Sequence, residues 1–535
     1  MRAQGTYFLT QGDGNMSFAG PNPPLGKLIL IVAAALATTQ AIAAPVVTAN
    51  GDDTATPIKY LVVMYQENVS FDHYFATYPH AENLPGEPAF HARAGTPTVN
   101  GLSGPLLSAN RNAAPPFRLD RLRAATCDQD HEYTAEQRAY DRGLVDKAVD
   151  STGTGSMTNQ GNTACRPEDV MGYFDGNTVT AIWNYAQHFA MSDNFFGTTF
   201  GPSTPGALNV IAGTTYAGTI TNGLSGKGFI ADAKSFGAVI GDADPGGDNC
   251  SNPKRTQVTM SGKNVGDLLN AAGVTWGAFM GGFANCSASH TGVTGLTSTD
   301  YIPHHAWFQY FQSTLNPNHV GPSSPAMIGK TDQANHEYDL SQFFLALQNH
   351  NLPAVSYVKA QAFEDGHAGY SDPLDEQVFL VNTINAIVQA GYWEDTAIII
   401  TWDDSDGWYD HQMGPIINQS NVSDDQLLGP GSCGTAKPID ATGDIQNGRC
   451  GFGPRIPLFV ISPYARRNYV DHRVTDFTSI VRFIEDNWSL GRIGNGSVDA
   501  IAGKLDGFFD FDRPPSWPLI LDPTTGQIVP YLEKH

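Results

Sequence analysis

Two apolar runs in this 535-residue chain end in pairs of oxygen-bearing side chains. The run "LVVMYQEN" ends in Glu67 and Asn68, and "AIIITWDD" ends in Asp403 and Asp404. If the two runs are parallel strands of one sheet, their carboxyl ends share the edge at which open α/β folds bind ligands. Carboxylate and amide oxygens suit a hard divalent cation. We therefore predict a site for one divalent metal ion of unassigned identity. The alternative is that each pair only caps a helix or solvates a loop.

A candidate nucleophile lies in "FFGTTFGPSTPGALNVIAG", residues 195–213. Pro205 is typical of the first residue of a helix, which would make Thr204 the N-cap and place Ser203 just before it. A hydroxyl there lies in the positive field of the helix N-terminus, where a phosphate group also binds well. Because Thr204 has the capping role, Ser203 is the predicted nucleophile. The alternative is that "GPSTP" is only a turn.

Histidines in polar loops are the third component of a possible site. His131 in "CDQDHEY", His304 and His305 in "YIPHHAWFQY", and His367 in "FEDGHAGYSDPLDEQ" lie among Gly, Pro and Asp. A single loop histidine is usually solvated surface, but histidine is also a common general acid at acidic to neutral pH. We predict that these four are catalytic, whereas His73 braces a helix.

The elements that must position these residues alternate between strands and helices. Four runs rich in Val, Ile, Leu and Phe are typical of strands buried on both faces: "IKYLVVMY", "AVSYVKA", "TAIIITW" and "PLFVISPYA". Helical patterns cover residues 375–393 and 476–488. This alternation predicts a doubly wound α/β fold with a central, mostly parallel sheet and helices on both faces.

Two long segments interrupt that alternation. Residues 84–125 and 215–262 are rich in Gly, Pro, Asn and Ser. Loops of this length inside a compact domain are usually functional excursions. We predict that both are surface excursions from a single catalytic domain that covers residues 44–535.

The N-terminal segment has the pattern of a secretory signal peptide. A lysine precedes "LILIVAAALATTQAIAAP", in which an apolar core ends in a small-residue cleavage pattern. The apolar run over residues 28–37 is shorter than the roughly 20 residues that a membrane-spanning helix needs. We predict a signal peptide over residues 1–43, with Met1 or Met16 as the start. The mature chain would be exported, either periplasmic or secreted, with no stable membrane span.

Composition and charge limit the possible partners. The formal net charge is −23 and only 16% of residues are charged. This balance argues against nucleic acid or an anionic bilayer as a general partner. A small anionic substrate could still bind where a cation or a helix N-terminus reverses the local field. The oligomeric state stays open.

Six cysteines are present, with no Cys-x-x-Cys motif. In an exported protein, an even number of cysteines indicates disulfides more than a thiolate metal site. Sequential pairing is the simplest connectivity, which would join Cys127 to Cys165, Cys250 to Cys286 and Cys433 to Cys450.

Five of these motifs together resemble one known family. "QENVSFDHYF", "FGPSTPGALN", "YIPHHAWFQY", "DGHAGYSDPLDEQ" and "TWDDSDGWYDH" are similar to the bacterial phosphoesterase family that contains acid phosphatase A and the non-zinc phospholipases C. The resemblance implies an alkaline phosphatase-like fold and hydrolysis through a phosphoserine intermediate. By motif, the family's metal-binding positions match Glu67, Asn68, Asp403 and Asp404, and its nucleophile matches Ser203. The histidines that would surround the phosphoryl group are His131, His305 and His367, with His304 as a neighbour.

The resemblance favours one branch of that family. Phospholipase-like members tend to carry Asn-Arg after the proline of the nucleophile motif, whereas Pro205 is followed here by Gly206 and Ala207. We therefore predict an exported acid phosphatase that acts on small phosphate monoesters, with an acidic rate optimum. The alternatives are a phospholipase C-type phosphodiesterase and a binding protein that keeps the metal but has lost turnover.

Overall fold

The computed structural model of the protein describes residues 53–153, 164–224, 228–231, 236–418, 420–427, 433 and 446–530. The strands, in chain order, are β1 (Tyr60–Gln66), β2 (Phe117–Arg118), β3 (Gly172–Tyr173), β4 (Ala190–Ser192), β5 (Phe195–Phe196), β6 (Tyr216–Ile220), β7 (Phe229–Ala231), β8 (Gly237–Val239), β9 (Asp244–Pro245), β10 (Gln257–Met260), β11 (Trp276–Met280), β12 (Ser289–Thr291), β13 (Thr297–Thr299), β14 (Glu337–Asp339), β15 (Val355–Lys359), β16 (Thr396–Trp402), β17 (Leu458–Ile461), β18 (Tyr469–Asp471) and β19 (Thr475–Asp476). The α-helices are α1 (Phe71–Phe75), α2 (Pro105–Ser108), α3 (Tyr133–Tyr140), α4 (Ala148–Ser151), α5 (Thr180–His188), α6 (Ser203–Ala212), α7 (Val265–Ala272), α8 (Leu340–Gln348), α9 (Pro373–Gln389) and α10 (Phe477–Asn487).

A mixed sheet of eight strands forms the centre of the described part of the chain. Its order is β14-β11-β15-β1-β16-β17-β4-β18. Every neighbouring pair is parallel except the two that involve β17, which runs antiparallel to β16 and to β4. The prediction of a mostly parallel α/β sheet is confirmed. All four predicted strands are present, and the β17 direction is the feature that the sequence pattern did not contain.

Helices cover both faces of this sheet. Successive side chains of a strand point to opposite faces. The Tyr65 ring meets Phe477 of α10, whereas Trp402, opposite Gln66 in the next strand, donates from its Nε1 to Glu376 of α9. α10 therefore packs on one face and α9 on the other, as predicted. α6 shares the face of α10, since its Gly206 lies against Tyr65 Oη.

The two long predicted helices differ slightly in their ends. α9 begins at Pro373, since Asp372 caps it by accepting the Leu374 and Asp375 backbone N–H groups. It ends at Gln389, just before Gly391 with φ 84°. α10 begins one residue after its cap, Asp476, whose side chain accepts the Thr478 N–H.

The nucleophile helix begins earlier than predicted. α6 starts at Ser203 after Pro202, so Pro205 is its third residue and Thr204 is not the N-cap. Proline is tolerated throughout the first turn because the first four backbone N–H groups have no partner inside the helix. The Thr204 N–H donates instead to Asp242 Oδ1 at 3.1 Å.

The predicted excursion over residues 215–262 contains a sheet of its own. Within its described residues, β6 to β10 form a five-stranded sheet in the order β7-β8-β6-β10-β9. The segment over residues 84–125 contains only α2, β2 and a short 3-10 turn at Arg121–Arg123.

Two of the three predicted disulfides are formed. Cys127 is bonded to Cys165, and Cys250 to Cys286. The third prediction is wrong in this structure, since the other two cysteines are buried free thiols. Each thiol donates to a carbonyl oxygen at 3.4 Å, from Cys433 to Asn418 and from Cys450 to Cys433.

The predicted signal peptide lies outside the described residues, and the single-domain assignment stays a prediction. Over the ranges that the structure covers, no helix is both long enough and apolar enough to cross a bilayer.

Candidate active site

Four residues with oxygen-bearing side chains lie at the carboxyl ends of two neighbouring strands. β1 and β16 pair in parallel up to their last residues. The Asn68 backbone N–H donates to Asp403 Oδ1 at 2.9 Å, and the Val69 N–H donates to the Asp404 carbonyl oxygen at 2.9 Å. With Glu67, these residues are almost completely buried. The structure therefore brings together the four residues that the sequence predicted as metal ligands.

The amide of Asn68 is held in one orientation. Its Nδ2 donates to His367 Nε2 at 3.1 Å and to Asp406 Oδ1 at 2.9 Å. Since both of its N–H groups are used, the Oδ1 atom is left for another partner. Neither this atom nor Asp403 Oδ2 accepts a hydrogen bond from the residues described, although both are buried. A buried acceptor without a partner is costly, and a bound cation would remove that cost.

The charge of the cluster also fits a cation. Burial and the neighbouring Asp403 raise the pKa of Asp404 well above its ordinary value. Ionised carboxylates this close repel one another unless a positive charge lies between them. The oxygen donors of Glu67, Asn68, Asp403 and Asp404 therefore fit a hard divalent ion better than a soft one.

Ser203 faces this cluster from the first turn of α6. Its Oγ donates to Glu67 Oε2 at 3.0 Å and lies 3.4 Å from Asp404 Oδ2. Gly206 allows α6 to lie this close to the end of β16, because a Cβ at that position would be 2.3 Å from the Asp403 carbonyl oxygen. The hydroxyl predicted as the nucleophile is thus buried among the predicted ligands, at the positive end of a helix.

Lys359 is a site residue that the sequence analysis missed. Its Nζ pairs with Glu67 Oε1 in the interior of the protein. Burial alone would lower the pKa of Lys359, but the carboxylates of Glu67, Asp403 and Asp365 outweigh burial and raise it. The sequence did contain a signal for this role, because the apolar run "AVSYVKA" includes a single lysine. A strand that is buried on both faces does not accept a lysine without a charged partner.

His305 also contacts Glu67, through the oxygen that pairs with Lys359. Its Nδ1 is 3.2 Å from Glu67 Oε1, while its buried Nε2 has no hydrogen-bond partner among the residues that the structure describes. Burial, with the nearby charges of His304 and Lys359, lowers the pKa of His305 well below its ordinary value. The imidazole is therefore neutral, with one nitrogen free for a ligand.

His131 and His367 differ in protonation. Burial alone would lower the pKa of His131, but Asp404, Asp128 and other carboxylates raise it well above its ordinary value, so this ring is cationic. Its Nδ1 donates to the Gln129 carbonyl oxygen at 2.9 Å, which leaves Nε2 available. His367 is kept neutral by burial, consistent with its Nε2 accepting from the Asn68 amide.

His304 lies beside the N-terminus of α6 and not in the metal cluster. Its nitrogens are 3.5 Å from Asp242 Oδ2 and 3.7 Å from Asp244 Oδ1. The structure thus places it next to the residue that accepts the Thr204 N–H. Its contacts do not include the predicted nucleophile.

A second group of possible metal ligands adjoins the first. It contains Asp128, His131, His367 and Asp406, whose ligand atoms lie within 4.8 Å of one another. The Asn68 amide already donates to two of these residues, His367 and Asp406. In this arrangement the group orients Asn68.

His73 is structural, as predicted. The Ser70 side chain caps α1 by accepting the His73 N–H, and the His73 ring stacks on Trp408 with centroids 3.9 Å apart. Burial lowers the pKa of His73 to about 3, so the ring is neutral.

Comparison with known proteins places the chain among phosphoesterases. The model of the Phosphoesterase family matches residues 58–491. Similar curated proteins include the non-hemolytic phospholipase C of Burkholderia pseudomallei (27% identical over 507 residues, covering 90% of this chain and 63% of that protein) and that of Pseudomonas aeruginosa (24% over 482 residues, covering 88% and 60%). Phospholipase C B of Mycobacterium tuberculosis is 24% identical over 476 residues, covering 86% of this chain and 79% of that protein. The chain thus spans about 60% of the length of the first two relatives.

Solved structures align with this chain at lower sequence identity and with low TM-scores. Murine ectonucleotide pyrophosphatase/phosphodiesterase 5, in complex with AMP, aligns with a TM-score of 0.30 at 10% identity, covering 61% of this chain and 94% of that one. A protein of the alkaline phosphatase superfamily from Vibrio parahaemolyticus aligns with a TM-score of 0.26 at 13% identity, covering 60% and 64%.

Proposed function

The chain belongs to the Phosphoesterase family, and we propose that it hydrolyses phosphate esters by attack of the Ser203 hydroxyl on phosphorus. The observation that supports this most directly is the position of Ser203 Oγ, which is buried at a helix N-terminus and donates to Glu67 Oε2 at 3.0 Å. A hydroxyl that serves only structure does not need two carboxylates of a predicted metal site beside it.

A divalent cation completes the proposed site. Glu67, Asn68, Asp403 and Asp404 would hold it through their side-chain oxygens. Those of Glu67 and Asp404 lie 3.0 and 3.4 Å from Ser203 Oγ, and Asn68 Oδ1 and Asp403 Oδ2 are buried acceptors without a partner among the described residues. When bound, it supplies a lowered pKa for the Ser203 hydroxyl and neutralises the phosphate oxygens.

The side chains of the protein provide the proton transfers. The Ser203 hydroxyl directs its proton to Glu67 Oε2, while Lys359 holds Oε1 of the same carboxylate. His131, cationic and with Nε2 available, is the proposed acid that protonates the leaving alkoxide. His305, neutral and with a free Nε2, is the proposed base for the water that cleaves the phosphoserine. His367 positions Asn68, and His304 has no assigned step.

Two substrate classes are considered, phosphate monoesters and phosphodiesters. Pro205 is followed by Gly206 and Ala207 instead of the Asn-Arg pair of phospholipase-like members, which supports a small phosphate monoester. The curated relatives are phospholipases C, which supports a phosphodiester with a phosphorylated headgroup. We propose the monoesterase, whose activity falls as the pH rises through the raised pKa of His131, because this ring must hold its proton. The phosphodiesterase is the second candidate.

Export is part of the same proposal. Two formed disulfides suit an oxidising compartment such as the periplasm or the extracellular space. This agrees with the signal peptide predicted for residues 1–43.

One assay separates the candidates. The purified protein is given p-nitrophenyl phosphate or p-nitrophenyl phosphorylcholine, with divalent cations or a chelator. We expect monoester turnover that needs the cation and falls by about 10³-fold or more in Ser203→Ala, as losses of a nucleophile commonly do.

The matched control is Ser462→Ala. It removes a buried serine hydroxyl that donates to the Thr396 carbonyl oxygen, away from the site. If the protein hydrolyses only the diester, the monoesterase proposal is wrong and the phosphodiesterase is supported. Full activity of Ser203→Ala on either ester would contradict the proposed nucleophile.

A further inference from the structure

We propose that Glu136 is a positioning residue that fixes the spacing between the nucleophile and the metal ligands. This inference rests on the proposed function, in which Ser203 attacks beside the cation. Glu136 lies in α3, and its side chain is 1% exposed. It takes no part in the proton transfers proposed above, and a buried carboxyl without a role is costly to keep.

One carboxyl group joins two loops of the site. Glu136 Oε2 accepts the Gly201 backbone N–H at 2.9 Å, and Oε1 accepts the Ser405 Oγ–H at 2.6 Å. Gly201 lies two residues before Ser203, and Ser405 directly follows Asp404. The carboxyl therefore sets the distance between the residues 197–203, which present the nucleophile, and the residues 403–408, which present two of the ligands.

The chemistry of the two partners requires an acceptor at this position. The Gly201 N–H can only donate. Ser405 Oγ already accepts the Gly407 N–H at 3.0 Å, so its own hydrogen is directed to Glu136. Gly201 has φ 115°, a conformation suited to glycine, and the Glu136 carboxyl holds its N–H in that direction.

The same segment also carries the proposed acid. α3 begins two residues after His131, and His131 Nδ1 lies 3.5 Å from Asp406 Oδ1. One short stretch of chain thus contacts the nucleophile loop, the ligand loop and the leaving-group side of the site. A small movement of α3 would shift the attacking hydroxyl relative to the phosphorus, and misplacement by about 1 Å can cost roughly 100-fold in rate.

Three readouts test this role in the full-length protein. They are kcat and KM on p-nitrophenyl phosphate, and the cation concentration that gives half of the cation-induced rise in Tm. We expect Glu136→Ala to lower kcat by about 10- to 100-fold while KM and the cation midpoint stay within about threefold, because the ligands remain fixed by β1 and β16.

The conservative variant should restore most of the loss. In Glu136→Gln the amide oxygen can still accept the Gly201 N–H, and the amide nitrogen can donate to Ser405 Oγ once that hydroxyl turns its own hydrogen away from residue 136. We expect kcat within about fivefold of the unmodified protein. Should Glu136→Ala fail to fold, Ser405→Ala removes one of the two hydrogen bonds from the other side, and a smaller fall in kcat at unchanged KM is expected.

The matched control is Glu485→Ala. Glu485 is another buried glutamate, which accepts the Ile493 N–H and pairs with Arg492 at the end of α10. This variant should have a lower Tm and an unchanged kcat. If Glu136→Ala loses Tm but keeps kcat in the same way, or if Glu136→Gln is as inactive as Glu136→Ala, the positioning role is wrong. An active Ser203→Ala protein would instead overturn the proposed function, whatever Glu136 does.

Discussion

At the residue scale, the position of Asn68 needs a side chain that donates two hydrogen bonds and also offers an oxygen, and an amide does both. Its nitrogen donates to a carboxylate and to a neutral imidazole, while its oxygen is left for the cation. An aspartate here would offer no donor and would repel Asp406. The two acceptors, Asp406 and His367, therefore decide which atom of Asn68 faces the metal position.

We expect Asp406→Ala to weaken cation binding. Without this acceptor the Asn68 amide can rotate, and changes to a group that orients a metal ligand commonly cost about 10- to 100-fold in affinity. Asp406→Asn should recover part of the affinity, because its amide oxygen can still accept from Asn68. The measurement is the midpoint of the Tm rise during titration with Mg²⁺, Ca²⁺ or Mn²⁺.

The control for this effect is Asp499→Ala. Asp499 is also buried and accepts a backbone N–H, from Ile493 at 2.7 Å, in the loop after α10. It should lower Tm without moving the cation midpoint. A midpoint in Asp406→Ala equal to that of the unmodified protein would contradict the orienting role.

Single residues differ in how far the sequence could place them. Glu67 and Asp403 were predictable because each directly follows a long apolar strand, and parallel strands end at one edge. Lys359 could have been flagged as a charge within a buried run. Glu136 could not, because its two partners are more than sixty and more than two hundred and sixty residues away and nothing local in the sequence marks it.

At the element scale, the site depends on how closely α6 approaches the end of β16. A Cβ on Gly206 would meet the Asp403 carbonyl oxygen at 2.3 Å, which is backbone and cannot rotate away. The helix would have to move outward by a large fraction of an ångström or more. Ser203 is three residues earlier on the same helix and would move with it.

We expect Gly206→Ala to lower kcat by at least about 10-fold, since displacement of the nucleophile acts on the chemical step. The measurement is kcat per folded protein together with Tm. Gly266→Ala is the control, because Gly266 is also in the first turn of a helix, α7, and its Cβ would meet the Trp276 ring at 2.5 Å. The control should lose stability alone. An active Gly206→Ala enzyme would show that the close approach is not needed.

Strand direction was the main element-scale feature that the sequence did not contain. β17 has the same apolar character as β16 but runs antiparallel to it. Burial on both faces produces an apolar run in either direction. The short strands β4 and β14, three residues each, were also missed because three residues carry too little periodicity.

At the scale of the whole molecule, several carboxyl groups outside the proposed ligand set are shielded from water and hold their protons. Burial raises the pKa of Glu376 and of Glu364 to about 8, and that of Glu485 to about 9. In the unfolded chain each returns to its ordinary value. Between the two values the folded state binds more protons than the unfolded state, so the free energy of unfolding falls as pH rises. The net charge of −23 acts in the same direction through repulsion.

Glu376→Gln tests this pH dependence. Glu376 accepts from Tyr74 Oη and Trp402 Nε1. A glutamine has no titrating proton, and it can accept from Trp402 through its oxygen and donate to Tyr74 Oη through its nitrogen. The unmodified protein should lose Tm steadily from about pH 5 to about pH 8, as the buried carboxyls are forced to ionise. The variant should lose less over that range, so that it is similar to the unmodified protein at the acidic end and more stable at the basic end. Thermal unfolding followed by circular dichroism at several pH values measures the slope, with exposed Glu394→Gln as the control that leaves it unchanged. If Tm falls with pH at the same slope in Glu376→Gln and in the unmodified protein, Glu376 is ionised in the folded state. Its burial would then need a compensating charge.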